Sequence, residues 1–201
     1  LKSSLNSYNL MEQVEKSTKF VFVENKNSES KNIRYHESKE GGDIHTDAPQ
    51  YSEQPSFVLL YCIEQSIDGG ESIIVDGYKL YDHLISLGYS RKILECEYPF
   101  EQRPSGNIIW GKIFSFNHNS LKVRYLRSYI NSALKKTHSS DLDISLLDDI
   151  DAFLNHKANH ITFKLEAGDL LWFDNQRFLH GRYAFNDSVQ TRRKLLRIWI
   201  K

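Results

Sequence analysis

The sequence predicts a mainly β fold, an antiparallel sandwich or jelly roll with helical insertions, and three observations carry that prediction. Apolar, β-forming runs open the chain at KFVFVE (19–24), PSFVLLYCIEQ (55–65) and ESIIVDG (71–77). Similar runs close it, at HITFKLEAGDLLWFDNQRFLHGRYAF (160–185) and RRKLLRIWIK (192–201). Helical patterns interrupt the strands as insertions instead of alternating with them one for one, which disfavours a doubly wound α/β sheet.

Taken in order, residues 1–16 read as a short amphipathic helix, and ENKNSESKN (24–32) reads as a polar loop. DGG (68–70) is a turn signal between two strands. In YKLYDHLISLG (78–88), Leu80, Leu84 and Leu87 recur at helical spacing, and Gly88 is placed to end the helix. Residues 98–120 are strand- and turn-like. LKVRYLRSYINSALKK (121–136) presents Leu126, Tyr129, Ile130 and Ala133 on one helical face. DLDISLLDDIDAFLNH (141–156) predicts another helix, with its acidic residues weighted toward the start. EAGD (166–169) is a tight turn between ITFKL and LLWF.

Composition narrows the function. At 201 residues, 40% apolar and 12% aromatic, the chain is globular and fits one domain spanning residues 1–201. The absent initiator Met leads us to expect trimmed N-terminal elements. Basic and acidic residues are equal at 26 each, so nothing in the charge favours a nucleic acid or a membrane as partner. Two cysteines, Cys62 and Cys96, are too few for a disulfide framework and form no CxxC pair. With no signal-peptide pattern and no long apolar stretch, we expect a cytoplasmic protein, with homo-oligomerisation left open.

GGDIHTDAP (41–49) raises the central chemical question. In an extended segment His45 and Asp47 project to the same side, offering one nitrogen and one carboxylate oxygen to a single ion. An Asp before Ala-Pro is also a common turn former, so the spacing alone leaves both readings open. His180, in FDNQRFLHGR, is the best third ligand: it follows an apolar strand and adjoins Gly181, which permits close backbone approach. Two histidines and one carboxylate on one face of an ion is the facial triad of non-haem Fe(II) oxygenases. His36, His83, His118, His138, His156 and His160 lack a carboxylate partner at such a spacing and read as surface residues.

The last strand argues independently. Arg193, Leu195, Arg197 and Trp199 share one face, while Lys194, Leu196, Ile198 and Ile200 share the other. Both faces carry large apolar groups, so the strand is covered on both sides. Guanidiniums there need counter-ions: either the carboxylate of a ligand, or an internal Asp or Glu.

These residues together resemble the Fe(II)- and 2-oxoglutarate-dependent dioxygenases of the taurine dioxygenase and γ-butyrobetaine hydroxylase type. Four pieces occur in the family's order from His45 to the C-terminus: HTD with PSFVLLYC, then GGESIIVDG, AGDLLWFDNQRFLHGR, and an Arg thirteen residues after the distal His. The resemblance implies a double-stranded β-helix, the cupin-like jelly roll, with His45, Asp47 and His180 binding Fe(II). It implies that 2-oxoglutarate is the co-substrate and that its distal carboxylate lies between Arg193 and Ser72, where relatives often have Thr. Arg197 matches a second arginine of some members, backing up 2-oxoglutarate or holding an anionic part of the substrate. Trp199 lies near an aromatic that cages a trimethylammonium group in γ-butyrobetaine hydroxylases, but Ala48 stands where those enzymes have another aromatic.

The implied activity is an oxidoreductase consuming O2, most simply a hydroxylase. It oxidises an unactivated C–H bond of a small, amino-acid-like or charged metabolite and releases succinate and CO2. Asp47 favours hydroxylation over halogenation, because related halogenases replace this carboxylate with a small residue. Alternatives are the same chemistry on a carrier-bound or peptidyl substrate, and a β-helix module that binds without turnover. Arg103, Arg124 and Tyr51 are candidate substrate contacts, although packing or surface roles suit each of them as well.

Overall fold

The computed structural model describes residues 5, 7–13, 18–24, 41–139, 142–187 and 192–201. Two antiparallel sheets face each other in a jelly-roll-type sandwich. The major sheet comprises β1 (Leu10–Met11), β2 (Phe20–Glu24), β3 (Phe57–Glu64), β11 (Leu170–Asp174) and β14 (Lys194–Ile200). Its centre is β14, paired along β3 and also against β1 and β2. The minor sheet has the order β10 (Ile161–Phe163), β5 (Ser72–Asp76), β12 (Phe178–Arg182). Two-stranded ribbons add β4 (Asp68–Gly69) with β13 (Phe185–Asn186), β6 (Glu97–Glu101) with β7 (Ile108–Lys112), and β8 (Phe114–Asn117) with β9 (Ser120–Val123).

Alternation of side chains divides the core. From the minor sheet, Ile73, Val75 and Leu179 point outward into a large apolar cluster with the helices α1 (Gly77–Ser86), α3 (Arg127–Thr137) and α4 (Ile144–Asn155). The short α2 (Arg91–Leu94) adds Leu94 to this cluster. Ile74 points the other way and meets Val58, Phe173 and Trp199 of the major sheet. Both faces of β14 are covered, as its sequence predicts: Ile198 and Ile200 pack with Leu5 and Leu59, whereas Leu195 packs with Val23 and Cys62. Among the described residues no helix is long and apolar enough to cross a membrane.

The helix at 78–88 forms with an Asp76 cap, whose carboxylate accepts the Tyr78 N–H, and Gly88 takes the left-handed φ of +94° just beyond its end. Leu80 and Leu84 are buried, while Leu87 remains exposed. Other elements depart from the sequence expectation. The helix expected over 1–16 falls largely outside the described residues, and within it Leu10–Met11 is a strand held by β14. The loop expected at 24–32 also lies almost wholly outside them. In 121–136 the first three residues are strand, and Leu126 is the extended cap before α3, so pairing with β8 overrides the helical periodicity. In α4 only Asp143 serves the N-terminus, as the cap accepting Leu146 N–H; the remaining described acids sit mid-helix, where Asp148 and Asp151 pair with Arg127. DGG is partly strand, because Asp68–Gly69 pairs with β13. EAGD does turn, with Gly168 at φ +100°, but it carries the chain from the minor to the major sheet and does not close a hairpin.

Candidate metal centre

The site grows out of one strand and one extended segment laid against it. His45 donates its N–H to His180 O at 2.9 Å, and His180 donates to His45 O at 2.7 Å. This reciprocal pair sets the two residues opposite each other with both rings on one face, their centroids 4.6 Å apart. Gly181 permits that approach: a Cβ there would sit 3.1 Å from Ile44 Cγ1. What comes close to this glycine is therefore the segment bearing His45. Asp47, two residues on, returns to the same side, and Ala48 turns the chain away at φ +58°.

His45 Nε2 lies 3.7 Å and His180 Nε2 4.0 Å from Asp47 Oδ1. Each of the three residues offers one donor atom, and all three atoms lie within 4.8 Å of one another. Among the described residues this is the only such group of His, Cys, Asp and Glu. His45 Nδ1 is 2.8 Å from Asp43 O; with the proton on Nδ1, the Nε2 lone pair faces Asp47. Burial, with the neighbouring His45 as a second cause, pushes His180 down to about 3, so its imidazole is neutral at neutral pH. Burial alone would raise Asp47, but the Arg197 guanidinium and the two histidines outweigh it and hold the carboxyl far below the usual range. A neutral imidazole from His180, a second imidazole and one carboxylate oxygen on one side of a point are a set that fits Fe(II) with positions left open.

Beside the three residues lies a small cavity whose polar lining includes Ser72, Arg182, Arg193 and Arg197, with Val23, Leu60 and Leu195 as apolar wall. The cavity thus brings together His45, His180, Ser72, Arg193 and Arg197. Arg197 and Trp199 have partners that the sequence left open. Arg197 Nη1 donates to Asp47 Oδ1 at 2.9 Å and its Nε to Gln13 Oε1 at 3.0 Å, so its counter-ion is internal. Trp199 is 6% exposed, its indole N–H donates to Asp47 Oδ2 at 2.8 Å, and the Arg197 guanidinium lies 4.9 Å from its ring centroid.

Three residues escaped the sequence reading. Arg182 follows His180 by two on β12 and lines the cavity; the period-two rule applied to His45 and Asp47 would have found it. Asn175 is fully buried: its Oδ1 accepts Asp47 N–H at 2.7 Å, and its Nδ2 donates to Asp47 O at 3.1 Å and Pro55 O at 3.0 Å. Gln13 brackets Arg197, also donating from Nε2 to its carbonyl at 3.1 Å. No local signal marks these last two, because their partners lie far away in sequence. The other candidate contacts pack elsewhere: Arg103 lies over Tyr129, Arg124 over Phe100, and Tyr51 against the cluster that holds Ala48 and Trp199. His160 is half-buried and bonds to Tyr183 Oη and Leu154 O, whereas His36 lies outside the described residues.

The chain is 28% identical over 184 residues to FR-33289 synthase of Streptomyces rubellomurinus, covering 85% of this chain and 52% of that protein. It is 27% identical over 173 residues to human gamma-butyrobetaine dioxygenase, covering 76% and 42%. The chain thus spans about half the length of the curated relatives it matches. Its fold superposes on asparagine oxygenase, solved with Fe(II), 2S,3S-3-hydroxyasparagine and succinate, with a TM-score of 0.74 at 15% identity over 96% of this chain and 59% of that one. The model of one family, described as taurine catabolism dioxygenase TauD, TfdA family, matches residues 4–86 and 111–199, and the chain belongs to that family.

Proposed function

We propose that the chain is the catalytic unit of an Fe(II)- and 2-oxoglutarate-dependent oxygenase that hydroxylates a small, amino-acid-like or charged metabolite. The observation that carries this reading is the convergence of His45, Asp47 and His180 beside a cavity lined with guanidiniums. In it, the three residues hold Fe(II), which when bound supplies O2 activation coupled to decarboxylation of 2-oxoglutarate to succinate and CO2. Arg193, with the Ser72 hydroxyl, holds the distal carboxylate of 2-oxoglutarate; Arg182 adds a further positive charge to the same cavity. Val23, Leu60 and Leu195 keep the wall apolar, which strengthens those charge contacts by excluding water. Arg197 neutralises Asp47 and borders the same cavity.

The substrate class takes its support from the relatives, which are named for or solved with gamma-butyrobetaine and hydroxyasparagine. A cytoplasmic location belongs to the same proposal, and the two free cysteines accord with a reducing compartment. The test is succinate formation from 2-oxoglutarate, which we expect only with Fe(II) and O2 and not in Asp47→Ala or His180→Ala. Unchanged succinate in both variants would overturn the metal assignment. A substrate library scored by the same product separates free metabolites from carrier-bound or peptidyl ones, and a silent binding module would give no product with any of them.

A further inference from the structure

We infer that Trp199 is a positioning residue that makes Asp47 a one-oxygen ligand, with Asn175 fixing the backbone beneath it. The inference rests on the metal-site reading above and adds what the rest of the chain does to the carboxylate. Asp47 is 3% exposed, and each of its oxygens has a distinct neighbour. Oδ1 is the oxygen near both imidazoles, at 3.7 Å from His45 Nε2 and 4.0 Å from His180 Nε2. Oδ2 accepts the Trp199 N–H at 2.8 Å. A carboxylate oxygen has two lone-pair directions. Arg197 takes one on Oδ1, at 2.9 Å, and the other remains for an ion between the imidazoles.

The indole is a donor only and cannot turn away. Trp199 sits on the central strand of the major sheet, opposite Met11 on one side and Val58 on the other, packed with Ala48, Ile74 and Phe173. Asn175 works on the main chain of the same residue, accepting from its N–H and donating to its carbonyl. With the backbone held by an amide and Oδ2 turned to the indole, the carboxylate is oriented with Oδ1 toward the imidazoles. The consequence concerns the number of open positions. A facial triad leaves three sites of a six-coordinate ion free only if each protein ligand takes one. Two-oxygen binding by Asp47 would remove one of those three.

The test uses Mn(II) as probe, titrated calorimetrically into metal-stripped protein without 2-oxoglutarate, alongside melting temperatures in EDTA. Trp199→Phe keeps the ring and loses the N–H, and we expect Mn(II) binding about 10–100-fold weaker, the usual cost of losing an outer partner of a metal ligand. Val58→Ala, a packing change in the same cluster without a polar contact to the site, should lower the melting temperature and leave Mn(II) affinity in place. Trp199→His, a smaller ring with an N–H, should recover part of the affinity. Should Trp199→Phe not fold, Trp199→His against Val58→Ala carries the comparison, with the histidine variant expected to be the one whose affinity changes. Unchanged affinity in the folded Trp199 variants, or an equal loss in Val58→Ala, would overturn the positioning role. Wild-type protein that binds no Mn(II) would instead overturn the metal-site reading itself.

Discussion

The two faces of the minor sheet divide the labour of this molecule. On β5 and β12 the outward face is apolar: Ile73, Val75 and Leu179 join Leu80, Leu84, Leu147 and Ile150 of the helices in one cluster. The inward face bears Ser72, Ile74, His180 and Arg182 in the same strands, shifted by one residue. Burial of the outward face stabilises in proportion to area, whereas each polar group on the inward face costs desolvation and must be met by a partner. One strand pair therefore anchors the fold on one side and presents the chemistry on the other.

Substitutions on the two faces should separate these roles. The largest effect belongs to the inward face and the segment laid against it: His180→Ala or Asp47→Ala should abolish 2-oxoglutarate turnover and Mn(II) binding, and for His180→Ala the melting temperature in EDTA should change far less. Next in size, Leu179→Ala on the outward face should cost about 2–5 kcal/mol in denaturant unfolding, while the folded fraction keeps its metal affinity. Equal effects of Leu179→Ala on stability and on metal binding would dissolve the division. Arg193→Ala should raise the KM for 2-oxoglutarate about thirtyfold, from the roughly 2 kcal/mol of a hydrogen bond to a charged group, and leave Mn(II) binding unchanged. A normal KM there would move the anchor to Arg182. The smallest expected effect is that of Asn175→Ala, about 1–2 kcal/mol of stability from leaving Asp47 N–H and two carbonyls without their amide, together with weaker metal binding.

Much of the site was legible along the chain because strands encode their faces with a period of two. That rule placed His45 with Asp47, and Arg193 with Leu195, Arg197 and Trp199, and the folded chain groups them so. Arg182, two residues after His180 on the same strand, satisfies the rule as well as Asp47 does. Where periodicity misled, long-range pairing had decided the outcome. Leu121–Val123 extends a helical pattern but is claimed by Phe114–Phe116, and Leu10–Met11 is claimed by Trp199 and Ile200.

The sequence by itself determined the alternation of faces, the set of ligand-type side chains and the covered last strand, because these follow from neighbours one to four residues apart. Only the tertiary structure decided who partners whom. Arg197 had two eligible counter-ions until Asp47, 150 residues away, was set 2.9 Å from it. Trp199 was an aromatic of open purpose until its N–H met Asp47 across 152 residues. Hydrogen bonds of that span depend on the stacking of two sheets, and no local pattern carries the register of one sheet over another.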